Sequence, residues 1–174
     1  MAEREATVRA AETERVRQRD ANRLLPRGAD DELDRQSGRA RLGIVRQSAG
    51  FFEALTPREI TAHFASFYPT PLDVDSVVEM VGLKEKRDAR CKNLSGGQKR
   101  RVDLALGIVG NPELIFLDEP TTGLDPQGRR QIWEVVRNFT ALGKTVLLTT
   151  HYLDEAEQLA DRVGVIIQGR LAEV

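Results

Sequence analysis

The alternation of apolar and polar positions predicts an ordered domain that begins near Arg41. Short apolar runs predict four strands, in "RLGIVRQ", "ELIFLD", "KTVLLTT" and "RVGVIIQ". Helical periodicity predicts helices over Thr56–Tyr68 and Asp73–Val81, and others in "GGQKRRVDLAL", "QGRRQIWEVVRNFTAL" and "YLDEAEQLA". Because strands alternate with helices, we expect an α/β fold with a parallel sheet and functional loops at the carboxyl ends of its strands.

Capping signals mark where the first two helices begin and end. Thr56 is a predicted N-cap, with Pro57 at the first helical position and Glu59 completing a capping box. The second helix should stop at Gly82, since glycine favours the left-handed backbone that follows many helices.

The segment 1–40 differs from the rest of the chain. Met1 to Leu25 is rich in Ala, Glu and Arg but has few large apolar residues, so we expect a solvated helix or disorder there. Pro26 to Gly38 combines helix breakers with charges, which is typical of a linker.

Composition and charge exclude few functions. The 174 residues are 40% apolar and 30% charged, with a net charge of −1, which gives no overall attraction to nucleic acid or anionic membranes. The single cysteine, Cys91, cannot form an internal disulfide. The longest apolar runs are far shorter than the roughly 20 residues that span a bilayer, and "MAERE" is no signal peptide. We expect a cytosolic chain unless a partner holds it at a membrane.

The stretch "LSGGQ" opens a predicted helix with two glycines, each of which costs roughly 1 kcal/mol relative to alanine inside a helix. A helix amino terminus presents unpaired N–H groups and a partial positive charge, so Ser95 as the cap and Gly96 and Gly97 after it suit a phosphate. The alternative is an ordinary serine-capped helix with accidental glycines.

Two carboxylates follow the strand in "LIFLDEPTTGLDP". Neighbouring strand side chains point to opposite faces, so Asp118 can hold Mg²⁺, directly or through water, while Glu119 orients and activates a water. The alternative is a strand that runs into an acidic turn. A later strand ends in "LLTTH" and brings His151 to the same sheet edge, where an imidazole would contact a terminal phosphate.

These motifs, in this order, resemble the ATP-binding subunits of ABC transporters over Arg41 to Val174. "LSGGQ" is similar to the family's signature motif, "LIFLDE" to its Walker B motif, "GLDP" to its D-loop and "LTTH" to its switch histidine. Gln47, after "LGIVR", resembles the Q-loop glutamine, which in the family senses Mg²⁺ and nucleotide. "LSGGQKRRVDLAL" and "TTHYLDEAEQLADRV" resemble the drug and antibiotic exporters of the ABC-2 type more than importers.

The resemblance implies a P-loop NTPase-like sheet, incomplete at its N-terminal side, with an inserted helical subdomain over 51–93 and the motif-bearing core over 94–174. It implies ATP and Mg²⁺, with Gln47, Glu119 and His151 in catalysis and Asp118 and Gln47 at the metal. The nucleotide would be contacted by Ser95, Gly96, Gly97, Gln98 and Asp125. In the family these residues act across a head-to-tail dimer of ATP-binding subunits, so the signature glycines are half of a site.

The implied partners are that second ATP-binding subunit, identical or different, and transmembrane permease subunits, with no nucleic acid. The chain would therefore lie in the cytoplasm, peripheral on the inner face of the cell membrane.

A P-loop is missing, because no G-x-x-x-x-G-K-[ST] occurs between a strand and a helix. The triplet "GKT" at Gly143 lies between a helix and a strand, and Asn138 stands where the first glycine belongs. Three explanations stay open: a fragment or a diverged start, a non-catalytic subunit that lends its signature helix to an intact ATPase, or a P-loop on a separate chain.

Three functions remain in competition: a transport ATPase whose own activity is impaired, a silent binding partner, and a soluble ABC ATPase that acts outside transport. Among the other residues, Arg100 and Arg101 are expected on a solvated helix face, with neutralisation of a phosphate as the alternative. Trp133 and Phe139 are expected in the core.

Overall fold

The computed structural model describes residues 41–46, 53–167 and 170–173, and the side chains of all of these except 172 and 173. The described residues up to Leu159 belong to one compact unit, and those from Ala160 onward belong to another. The predictions for residues 1–40 and for Gln47 lie outside the described residues.

The first unit alternates strands with helices, as the sequence predicts. Its elements are β1 (Leu42–Val45), α1 (Pro57–Ala65), α2 (Val74–Met80), α3 (Gly96–Ile108), β2 (Leu114–Asp118), α4 (Pro126–Ala141), β3 (Thr145–Thr149) and α5 (Leu153–Leu159).

The sheet of this unit is parallel, with β2 between β1 and β3 among the described strands. Ile44 pairs with Phe116, which pairs with Leu147, and Asp118 at the end of β2 pairs with Thr149. All three strands therefore end at one edge, which confirms the predicted α/β class and brings the chain after β2 beside the chain after β3.

One face of the sheet packs into the apolar core. Val45, Ile115 and Leu117 are buried there with side chains of α3 and α4. Strand β1 approaches α3 so closely that a Cβ on Gly43 would overlap the carbonyl oxygen of Gly107. The lack of a side chain at Gly43 and Gly107 therefore allows the signature helix to pack directly against the sheet.

The opposite face carries exposed apolar side chains. Ile44 is 64% exposed and Leu147 54% exposed, on either side of Phe116 in the same row. Ile44 and Leu147 are the exposed large apolar side chains of β1, β2 and β3.

The predicted helix caps are present in the helical region. Thr56 and Glu59 form the capping box, with Glu59 N donating to Thr56 Oγ1 over 3.1 Å and Thr56 N donating to Glu59 Oε2 over 2.8 Å. Asp73 caps α2 through the N–H of Ser76. Gly82 follows α2 with φ of 69°, the left-handed conformation that the sequence predicted.

The last predicted strand departs from the expected parallel sheet. Strand β4 (Gly164–Ile167) pairs with β5 (Arg170–Glu173) in an antiparallel two-stranded sheet. Strands β4 and β5 are close in sequence and pair with each other, and the period of apolar residues alone cannot distinguish such local pairing from a place in the parallel sheet. Across the described parts of the chain, no helix combines the length and apolarity needed to cross a membrane.

Candidate functional site

The amino terminus of α3 is closed by a capping box made from the "LSGGQ" residues themselves. Gln98 N donates to Ser95 Oγ over 3.2 Å, and Ser95 N donates to Gln98 Oε1 over 2.9 Å. The N–H groups of Gly96 and Gly97 lie in the first turn, where a helix offers no acceptor. In a helix such N–H groups point toward the amino-terminal end, where the helix dipole favours an anion.

The surrounding fold does not require glycine at these two positions. A Cβ on Gly96 would have no neighbouring atom within 4 Å, and one on Gly97 would lie 3.9 Å from Leu124 Cδ2, which is ordinary contact. Neither residue has the positive φ that favours glycine. The absence of side chains therefore leaves open space at the helix end.

Strand β2 delivers Asp118 to the sheet edge beside Thr149. The hydroxyl of Thr149 donates to Asp118 Oδ1 over 2.7 Å. Directly afterwards, Glu119 adopts a φ of 45°, which is rare for a residue with a side chain, and its N–H donates to the carbonyl oxygen of Thr149 over 3.0 Å. The backbone changes direction at Glu119, so the carboxylates of Asp118 and Glu119 have different neighbours.

The structure places Glu119 and His151 at one sheet edge, as the sequence predicts, and brings their side chains close together. Nδ1 of His151 lies 3.6 Å from Glu119 Oε1, and the hydroxyl of Thr122 donates to Glu119 Oε2 over 3.0 Å. The imidazole is 54% exposed at this edge. A half-buried carboxylate beside an accessible imidazole suits the handling of a water and a phosphate oxygen.

Asp125 has a local structural contact in addition to its predicted role. Its Oδ1 accepts from Gly128 N over 2.7 Å and caps α4, with Pro126 at the first helical position. The "DP" pair carries this capping signal, which the sequence interpretation as a D-loop left aside. The nucleotide contact of Asp125 and the roles of Gln47 stay predictions.

The expected solvated position of Arg100 is wrong. Arg100 is 8% exposed, and its Nε donates to Pro120 O over 3.0 Å while its Nη2 donates to Asp118 O over 3.0 Å. Its Nη1 donates to Arg46 O at the end of β1. One guanidinium thus ties α3 to the ends of two strands, because its fork of five donors matches backbone carbonyls on both.

Burial shapes the electrostatics around Arg100. Desolvation lowers the pKa of Arg100, and the charge of Asp103, one helical turn along α3, partly offsets this effect. Desolvation also raises the pKa of Asp103 to about 6, against the opposing charge of Arg100. The two side chains, 3.7 Å apart, form a buried ion pair behind the site.

Arg101 also departs from a solvated face. It is half-buried, its Nη1 donates to Gly82 O over 2.7 Å, and burial lowers the pKa of its guanidinium. Arg101 therefore links the signature helix to the end of α2, whereas Arg100 links it to the sheet. Both arginines were predicted on one solvated face, although neighbouring helix positions point about 100° apart.

The sheet edge carries a carboxylate that fits a magnesium ion. Mg²⁺ is held in nucleotide sites by one or two carboxylates together with phosphate oxygens and water. Asp118 provides one such carboxylate. The described residues contain no cluster of three or more His, Cys, Asp or Glu side chains able to hold a metal without a ligand. The single carboxylate of Asp118 is within the number that Mg²⁺ takes from a protein in a nucleotide site.

The triplet "GKT" lies in the turn between α4 and β3. Gly143 has a φ of 76°, Thr145 begins β3, and Lys144 Nζ donates to Asn111 Oδ1 over 2.6 Å. A P-loop joins a strand to a following helix, so this turn has the reverse order of elements.

Comparison with known proteins gives a family match. A family model described as "ABC transporter" matches residues 9–122. The match includes the signature and Walker B motifs. It begins inside the first forty residues, so the boundary placed at residue 40 stays a prediction.

Similar proteins extend this result. The daunorubicin/doxorubicin resistance ATP-binding protein DrrA of Streptomyces peucetius is 44% identical over 149 residues, which cover 83% of this chain and 45% of that protein. Nod factor export ATP-binding protein I of Paraburkholderia xenovorans (strain LB400) is 44% identical over 137 residues, 76% of this chain and 45% of that protein.

A third relative, the daunorubicin resistance ATP-binding protein DrrA3 of Streptomyces coeruleorubidus, is 40% identical over 157 residues, 87% of this chain and 50% of that protein. These relatives confirm the predicted resemblance to drug and antibiotic exporters. The chain spans about half the length of the curated relatives it matches.

Proposed function

This chain belongs to the ABC transporter family, and on that basis we propose that it is an ATP-binding subunit of an exporter that couples ATP hydrolysis to transport through separate membrane permease subunits. The relatives named for drug resistance and for Nod factor export support an export direction. Attachment to permeases would hold the chain on the cytoplasmic face of the membrane.

The observation that carries the proposal is the open amino terminus of α3. Two glycines that the fold itself does not need leave a helix end accessible to an anion. Their N–H groups and the helix dipole would stabilise a phosphate at that end. Ser95 and Gln98 contribute by fixing the geometry of the first turn.

The nucleotide at this helix end is proposed to belong to a second ATP-binding subunit, identical or different, arranged head to tail. The 174 residues contain no P-loop sequence that would hold the phosphates on this chain. A nucleotide held by a second subunit would therefore need Ser95, Gly96, Gly97, Gln98 and Asp125 of this chain to complete its site.

The other half of the site has the residues for hydrolysis. In the proposal, Glu119 orients the attacking water and His151 contacts the terminal phosphate, each supported by the 3.6 Å approach of their side chains. Asp118 and Gln47 would hold Mg²⁺, which neutralises phosphate charge when it is bound with ATP. Without a P-loop in these residues, we expect this half to turn over ATP poorly.

A second candidate is a binding subunit without catalysis, which lends its signature helix to an intact ATPase. The same open helix end supports it, since that end faces outward whether or not Glu119 is active. A soluble ABC ATPase outside transport is a third candidate, and permease genes beside this one would argue against it.

Calorimetry of Mg·ATP binding tests the proposal. The chain is titrated alone and then together with an intact relative whose catalytic glutamate is replaced by glutamine. We expect no binding by the chain alone and a higher ATP affinity of the relative when the chain is present. An unchanged affinity of the relative would contradict the shared site.

A variant of the helix end makes the experiment specific. Gly97→Asp adds a carboxylate where the helix dipole favours it, so the fold should tolerate the change, but the charge would repel a phosphate. Ala62→Glu adds the same charge on the exposed face of α1 and serves as the matched control. Only Gly97→Asp should abolish the gain in ATP affinity.

A further inference from the structure

Helix α4 presents one row of side chains to the segment that follows β3. Arg129, Trp133 and Arg137 are spaced four residues apart and therefore lie on one side of the helix. Each contacts a different part of residues 152–158. Arg129 meets Tyr152 and Asp154, Trp133 meets Glu155, and Arg137 meets Gln158.

The middle contact of this row is buried. Nε1 of Trp133 donates to Glu155 Oε1 over 3.0 Å, and Glu155 is 0% exposed. The second carboxylate oxygen, Oε2, has no hydrogen-bond partner among the described residues. Loss of the indole would leave the buried carboxylate of Glu155 without this hydrogen bond, which is energetically costly. The bond therefore favours the observed packing of α5 against α4.

Arg129 makes the contact nearest to the candidate site. Its Cζ lies 4.2 Å from the centroid of the Tyr152 ring, and that ring lies 4.1 Å from the imidazole of His151, centroid to centroid. Nη1 of Arg129 also lies 3.9 Å from Asp154 Oδ2. The guanidinium therefore holds the residues on the carboxyl side of His151.

The same side chain reaches the loop before α4. Nε of Arg129 donates to the carbonyl oxygen of Leu124 over 3.5 Å. The Cδ2 atom of Leu124 is in turn the nearest neighbour of the Cβ position on Gly97. Leu124 therefore borders the open space beside Gly97, and contacts run from Leu124 through Arg129 and Tyr152 to His151.

We propose that Arg129 is a positioning residue, which joins the loop beside the signature glycines to Tyr152 and thereby fixes His151 next to Glu119. His151 needs such support because its side chain is half-exposed and its Nδ1 lies 3.6 Å from Glu119 Oε1, beyond hydrogen-bond distance. A planar guanidinium suits the role, since it stacks on the tyrosine ring while it donates to a carbonyl and pairs with a carboxylate.

One consequence rests on the proposed function. A nucleotide bound at Gly96 and Gly97 by a second subunit would press on the loop that contains Leu124, and Arg129 would pass that displacement to His151. The two halves of the site on one chain would then be coupled through Leu124, Arg129 and Tyr152.

Histidine NMR tests the inference directly. The chain has two histidines, so imidazole ¹H–¹³C spectra of the full chain resolve His151, with His63 on α1 as an internal reference. We expect Arg129→Ala to shift the His151 resonances, because the Tyr152 ring current acts on them, and to leave those of His63 in place. Arg129→Lys should restore part of the wild-type position.

Arg130 provides the matched control, since it is the exposed neighbour and removes the same charge. Equal His151 shifts in Arg129→Ala and Arg130→Ala would overturn the inference. The emission of the single tryptophan, Trp133, reports whether the α4–α5 contact is retained. If Arg129→Ala does not fold, Tyr152→Leu must shift His151 in the same way, and an unmoved resonance in that variant overturns the inference.

Addition of the hydrolysis-deficient relative and Mg·ATP separates this inference from the proposed function. We expect the relative to shift His151 in the wild-type chain and in Arg130→Ala, and to do so much less in Arg129→Ala. No shift in the wild-type chain would count against the proposed shared site, while the difference between the two arginine variants alone would still support the positioning role. A full shift in Arg129→Ala would overturn the coupling.

Discussion

Arg100 donates a hydrogen bond from Nη2 to the backbone carbonyl of Asp118 over 3.0 Å. This bond connects the helix that opens with the signature glycines to the strand that carries the predicted magnesium ligand. A buried arginine therefore connects the two halves of the candidate site.

Loss of the Arg100 guanidinium should destabilise the chain strongly. Arg100→Met removes the bonds to Asp118 and Pro120 and leaves the buried carboxylate of Asp103 without its cation. We expect the free energy of unfolding to fall by about 3 kcal/mol, because breaking a buried ion pair from one side leaves an uncompensated charge. Urea denaturation measures this loss. The exposed Arg130→Met should change stability by less than about 0.5 kcal/mol, and an equal loss in both variants would refute the explanation.

Asp103 should make stability depend on pH between about 4 and 6. Burial raises its pKa from 3.8 to about 6, so in this range the folded chain binds more protons at Asp103 than the unfolded chain does. The contribution of this group therefore stabilises the fold most below the unfolded pKa and is lost as pH rises through the folded pKa. The full change is roughly 2–3 kcal/mol.

Asp103→Asn isolates this contribution from those of other carboxylates. Urea unfolding of both proteins from pH 4 to 7 should show that the wild-type chain loses stability relative to the variant as the pH rises. A constant difference between the two curves would mean that Asp103 does not titrate in this range.

The signature glycines should prove dispensable for folding. Gly96→Ala places its methyl group in open space and improves helix propensity, so we expect a gain in stability of a few tenths to about 1 kcal/mol. Gly43→Ala serves as the contrast, because its methyl group would overlap Gly107 and should cost about 1–3 kcal/mol. Thermal melts compare the two. A destabilised Gly96→Ala would indicate that the fold itself needs that glycine.

Hydrolysis by the isolated chain should not depend on Glu119. In the absence of a P-loop from these residues, the carboxylate has little bound phosphate to act on. We expect Glu119→Gln and the wild-type chain to release inorganic phosphate from Mg·ATP at the same background rate. A wild-type rate clearly above that of the variant would show that this chain hydrolyses ATP unaided.

Local signals account for much of what could be predicted. The capping box of Thr56 and Glu59, the left-handed Gly82 and the three parallel strands all depend on residues close in sequence or on a simple alternation of elements. The position of Glu119 and His151 at one sheet edge was also predicted, because parallel strands end at the same edge, but the approach of their side chains was not.

Other features depended on which surfaces meet. Strand β4 was predicted, but its antiparallel partner was not, since strand pairing is set by neighbours that periodicity does not identify. Trp133 was expected in the core, and the structure shows in addition that its indole N–H donates a hydrogen bond to a buried carboxylate on another helix.

The sequence by itself determined the order of the elements, their caps and the family motifs, because these reside in short stretches whose geometry is local. Only the tertiary structure decided that Arg100 is buried and that Arg129 lies over Tyr152. The amino-acid sequence alone does not distinguish an arginine on a solvated face from an arginine in a core. Its environment follows from packing between elements that are distant in sequence, and that packing determines which charges a site can use.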